Sequence, residues 1–158
     1  MAEANIAIRR ILLGILLIGL TGMGVELLLL KHDEEATQVI PLALIALAFV
    51  VVAWHEVQRR EASLLAVQVT MVLFIAAGPL GTYLHYQANV EFQREVNPSI
   101  AGRALFWKAM TAKTPPALAP GSMAQLGLIG LAYAFRYPLR QGRADTRQVS
   151  SAGDRWRS

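Results

Sequence analysis

At 158 residues, with 54% hydrophobic and only 16% charged residues, the chain is too apolar for an ordinary soluble domain and too short for more than one bundle. Its formal net charge of +4 does not point to nucleic acid, because the Lys and Arg residues lie before, between and after apolar runs, as membrane topology places them. The absence of cysteine excludes disulfides, thiolate metal sites and cysteine nucleophiles from this sequence.

The first apolar run, Ile11 to Leu30, is interrupted by one carboxylate, Glu26, and ends in Lys31-His32-Asp33-Glu34-Glu35. About twenty residues at 1.5 Å each match a hydrocarbon core of roughly 30 Å, so the run is long enough to span a bilayer as one helix. No small-residue cleavage site follows Leu30, so it reads as a retained span rather than a leader. A second run reaches Trp54, with Pro41 placed in its first turn. His55 and Glu56, followed by Gln58, Arg59, Arg60 and Glu61, read as a solvated turn. The third run contains Gly78-Pro79-Leu80-Gly81, which predicts a kink or loosening of its last third. The fourth opens near Pro120-Gly121-Ser122 and is stopped by Pro138.

These runs define an all-α polytopic membrane protein: four transmembrane helices in an antiparallel bundle over residues 1–140, with spans at about 8–30, 37–55, 63–86 and 119–137. Residues 141–158 form a polar, Arg-rich tail, expected to be flexible, cytoplasmic and able to rest on anionic lipids. The connector from His85 to Ala119 mixes aromatic, apolar and charged residues, so it is expected to have structure of its own. A short interfacial helix is predicted near Ile100 to Met110, and Phe106-Trp107-Lys108 with the prolines after it suits a lid. With both termini inside, ten Lys and Arg fall inside and five outside, which favours a cytoplasmic location of both termini in a cell (inner) membrane. The long connector is then extracytoplasmic.

An ionisable group within a span is expensive, which makes Glu26 the first candidate for function. Gly19, Gly22 and Glu26 share one helix face, where a second helix can approach. On the third run, Gln68, Met71, Ile75, Gly78, Thr82 and His85 fall at helical spacing and form a polar stripe. In the proposed topology Glu26, His32, Glu35, His85 and Glu91 converge near the outer mouth, and with Gln68 and Thr82 they make a candidate ligand or proton site. Two histidines and several carboxylates also suit a divalent metal, but no H-E-x-x-H type spacing supports one. Gly19, Gly22, Gly78, Gly127 and Gly130 read as close-packing points between helices.

No cofactor is required by these residues, and no phosphate loop or nucleophile elbow supports an enzyme. The expected function is association within the bilayer, as an accessory subunit of a membrane complex or as a homo-oligomer. The alternative is a small transporter or ligand-binding protein whose outer Glu/His pocket takes a proton, a cation or an amphiphile.

Overall fold

Apolar residues recurring every three to four positions, with few internal breakers, build long helices, and the computed structural model is all-helical over the residues it describes, 2–30, 36–112 and 117–137. The helices are α1 (Ala2–Leu29), α2 (Ala36–Gln58), α3 (Glu61–Val96), α4 (Gly102–Met110) and α5 (Leu118–Ala134). Three of them, α1, α2 and α3, are long and apolar enough to cross a membrane, and α5 is a shorter apolar helix of 17 residues. No strand occurs among the described residues. His32 and Glu35 lie outside the described residues, as do Pro115-Pro116 and the tail from 141 to 158.

Each long helix turns one stripe to a common core. Leu16, Leu20, Met23 and Leu27 supply it from α1, and Val67, Met71 and Phe74 supply it from α3. The contact between α3 and α5 is the tightest, and glycines permit it. A Cβ on Gly127 would lie 2.6 Å from the Met71 carbonyl oxygen and 3.0 Å from the Ile75 nitrogen. A Cβ on Gly78 would lie 2.7 Å from the Ala124 Cβ. Residue numbers rise along α3 as they fall along α5 through these contacts. Similarly, Gly19 of α1 is covered by the Leu126 side chain. A Cβ at Gly22 would meet nothing within 4 Å.

The outer faces are equally apolar. Only 22% of the most apolar stretch of α1 and 28% of those of α2 and α3 is buried. Ile11, Ile15, Ile18, Leu28 and Leu29 stand exposed along α1 alone. A surface of this kind is matched to lipid rather than water.

Three sequence expectations need correction. Helix α2 begins at Ala36, so Pro41 lies beyond the first turn, and it continues past Trp54 to Gln58. Helix α3 includes Gly78-Pro79, where Gly78 is packed against α5. It also runs on to Val96, so the first third of the expected connector is helix. At 36 residues it is about 54 Å long, well beyond the roughly 30 Å of a hydrocarbon core. The extension is held by a second, small core in which Val90 packs on Leu105 and Ala109 of α4, and the Asn89 side-chain amide donates to the Ala109 carbonyl at 3.1 Å. The third correction concerns His55 and Glu56.

Candidate functional site

Following the buried stripe of α2 down the helix, Ile45, Ala48 and Val52 are succeeded at the same spacing by His55, which is fully buried. The helical register carries a histidine into the core where the sequence suggested a solvated turn. Its Nδ1 lies 3.0 Å from the hydroxyl of buried Ser63, in the first turn of α3. Ser63 accepts the Arg60 backbone N–H at 3.2 Å and donates its one proton to the Arg60 carbonyl at 2.9 Å. The network therefore assigns the imidazole proton to Nδ1. The other ring nitrogen, Nε2, is buried without a hydrogen-bond partner. The Tyr137 ring stands edge-on to the imidazole with centroids 4.4 Å apart.

Glu56, the next residue, joins the ends of α2 and α5. Its Oε1 accepts the hydroxyls of Tyr133 in α5 and, at 3.0 Å, of Tyr137 just beyond it. Its Oε2 accepts from Arg59 at 3.0 Å. The carboxylate holds the Arg59 guanidinium above its ordinary range, and burial pushes the Tyr137 phenol up. Arg59 ends α2 in the left-handed region, with φ of 52°. A non-glycine residue there costs roughly 1–2 kcal/mol.

Arg9 of α1 closes the cluster from the third side. It donates to the Tyr133 carbonyl at 3.0 Å and to the Arg136 carbonyl at 2.7 Å, and its guanidinium carbon lies 5.2 Å from the Tyr137 ring centroid. The Tyr133 carbonyl is among those that a helix end leaves without partners, so Arg9 caps α5 from another helix and also holds the chain just beyond it. Arg9, Arg10, Arg59, Glu56, Tyr133 and Tyr137, with Ile6 and Leu13, line a cleft of about 280 Å³.

The described residues expected at the other end stand on α1 and α3. Glu26 is exposed on α1, about 25 Å along the helix from Arg9 at the α-helical rise. Glu91 is exposed on the extension of α3. Gln68 is half-buried, and the half-buried Thr82 donates its hydroxyl to the Gly78 carbonyl at 2.9 Å. His85 lines a cleft with Met23 and Leu27 of α1, Pro41 of α2 and Pro120 of α5, and Glu26 is not among its lining residues. That cleft holds about 50 Å³, which is room for a water or a small cation and too little for an amphiphile. No group of three or more His, Asp or Glu suited to a metal occurs among the described residues. Phe106 and Met110 of α4 border a shallow groove with Tyr83 and Tyr86 of α3.

Sequence reasoning missed the His55–Glu56 cluster because it ended the second helix at the last apolar residue. Two signals were present: the core stripe of α2 reaches His55 in phase, and Tyr133 and Tyr137 are four apart. Comparison of the chain with protein-family models, with curated proteins and with solved structures finds no match.

Proposed function

We propose that the chain is a small four-span membrane protein that acts by association within the bilayer, as an accessory subunit of a larger complex or as a homo-oligomer. In this reading α5 is the fourth span of an antiparallel bundle, both termini are cytoplasmic, the membrane is a cell inner membrane, and α4 lies in an extracytoplasmic connector. The excess of Lys and Arg in the termini and the α2–α3 turn supports that orientation.

One observation carries the association reading. Glu26 is exposed on α1 among Val25, Leu28 and Leu29, themselves exposed, and Gly22 one turn earlier faces open space. A carboxylate on a lipid-facing surface is costly, and a second helix bearing a donor relieves that cost where a glycine lets it approach. Glu26 lies about 6 Å along the axis from Leu30, so its partner is a group near the membrane edge rather than at the midplane.

Purification in mild detergent, followed by mass measurement, tests this. The reading predicts a stoichiometric protein partner or a defined multiple of the 17.3 kDa chain, and that Glu26→Ala weakens the assembly more than Glu26→Gln. A monodisperse monomer without a partner in detergent and in lipid discs contradicts it.

The cleft at His85 supports a second reading, in which a proton or small cation is held between the helices. Its volume favours these over an amphiphile. His85→Ala should then abolish the pH dependence of whatever flux accompanies the protein, and an unchanged pH profile removes the reading.

A further inference from the structure

The cleft between the start of α1, the end of α2 and the end of α5 contains more positive charge than the fold needs. Three guanidinium groups, Arg9, Arg10 and Arg59, line it against one carboxylate, Glu56. The carboxylate is already engaged by Tyr133, Tyr137 and Arg59. The C-terminal ends of α2 and α5 add about half a negative charge each, which leaves a net charge near +1.

The three arginines differ in what holds them. Arg9 is fixed by two carbonyls and stacked near the Tyr137 ring, and Arg59 is fixed by Glu56, so both present their remaining N–H donors in set positions. Arg10, exposed at the mouth, makes no hydrogen bond or ion pair with other described residues. The volume of about 280 Å³ equals that of roughly nine waters. Ile6 and Leu13 form an apolar border on the α1 side, where an acyl chain can leave the cleft along the helix.

We infer that this cleft binds a phosphate-bearing anion, with Arg10 as the group that closes on it and Arg9 and Arg59 as its preset donors. A basic pocket between transmembrane helices at their positively charged edge suits the phosphodiester of an anionic lipid headgroup, and a free phosphate offers the same chemistry. The inference rests on the membrane setting proposed above and is independent of association through α1.

Native mass spectrometry of the intact protein released from detergent tests it, with phosphatidylglycerol, phosphatidylcholine of the same chains, and inorganic phosphate alone as probes. The expected result is retention of phosphatidylglycerol over phosphatidylcholine and a loss of about fivefold in that retention for Arg10→Gln, the effect of one cation near an anionic surface. Arg103→Gln, on α4, should leave retention unchanged. Binding of inorganic phosphate alone with the same dependence on Arg10, and no lipid preference, identifies a free anion as the source. Equal retention of the two lipids without phosphate binding, unaltered retention in Arg10→Gln, or an equal loss in Arg103→Gln overturns the site. The same spectra report assembly mass, so loss of association is read separately. Arg10 is exposed and makes no hydrogen bond or ion pair with other described residues, so an unchanged unfolding midpoint in Arg10→Gln separates ligand loss from misfolding.

Discussion

The Tyr133 hydroxyl at the end of α5 donates to the Glu56 carboxylate at the end of α2, joining residues 77 positions apart in sequence. Tyr137 donates to the same oxygen and Arg59 to the other, so one side chain gathers two helix ends. The order of losses on substitution follows from this. Glu56→Gln retains an oxygen for both phenols and loses mainly the Arg59 pair, which is exposed and worth at most about 1 kcal/mol. Tyr133→Phe removes a hydrogen bond to a charged acceptor, about 1.5–3 kcal/mol. Glu56→Ala strands both phenols and should cost most. Loss of helicity in increasing denaturing detergent measures the order, and equal midpoints for all three variants would refute it.

Arg9 makes a different kind of link, since its two acceptors are the Tyr133 and Arg136 carbonyls. A lysine ammonium is a point charge on a flexible stem and does not reproduce the planar fork. Arg9→Lys should therefore destabilise nearly as much as Arg9→Met, by about 2–3 kcal/mol in the same unfolding assay. Full retention of stability by lysine would show that charge alone suffices there.

The glycines should separate by what stands opposite them. At Gly127 an added Cβ meets backbone, the Met71 carbonyl oxygen, which moves only with the helix. At Gly130 it meets the Met71 side chain, whose thioether can rotate away. Gly127→Ala is expected to cost about 1–3 kcal/mol by overpacking, and Gly130→Ala less. Gly22→Ala should leave the isolated chain's unfolding midpoint unchanged, because nothing lies within 4 Å. Melting of the purified chain with helicity as the signal checks all three.

Tyr137 gives a pH dependence whose sign is fixed. Burial, with Glu56 as an acceptor beside it, holds its phenol above the ordinary tyrosine value. A group whose folded-state value is raised contributes stability that is complete below the unfolded value and is lost as pH rises through the folded one. Stability should thus be flat with respect to this group below about pH 10 and decline above it. Tyr137→Phe should flatten that decline, as read from unfolding midpoints between about pH 8 and about pH 11. A decline of equal slope in the variant assigns the effect elsewhere.

The apolar runs made the helices and their capacity to span legible, because length and hydropathy alone establish them. Gly127 and Gly78 were legible as small residues in apolar runs, while the atoms they face required coordinates. The extension of α3 to Val96 was not legible. Residues 85–96 look like a polar connector until Val90 finds Leu105 and Ala109, a contact that depends on where α4 returns. The His55–Glu56 cluster was hidden for a related reason: its partners Arg9, Tyr133 and Tyr137 lie in the first and last helical regions, and no spacing within one element brings them together. For His85 the helical spacing of the third run was legible, while the cleft it shares with Met23, Leu27 and Pro120 required coordinates.

Association through α1 requires that a second helix cover its Glu26 face. The chain has no cysteine, so one introduced residue is a unique labelling point. Val25, beside Glu26, and Val72, on α3, are similarly exposed in the single chain, at 51% and 54%. Val25→Cys and Val72→Cys, each spin-labelled in lipid discs, should differ in collision with dissolved oxygen, which concentrates in the hydrocarbon. Markedly lower oxygen access is expected at position 25 than at position 72, with a rise at position 25 when Glu26→Ala is added. Equal and high access at both positions, unaffected by that substitution, would contradict it.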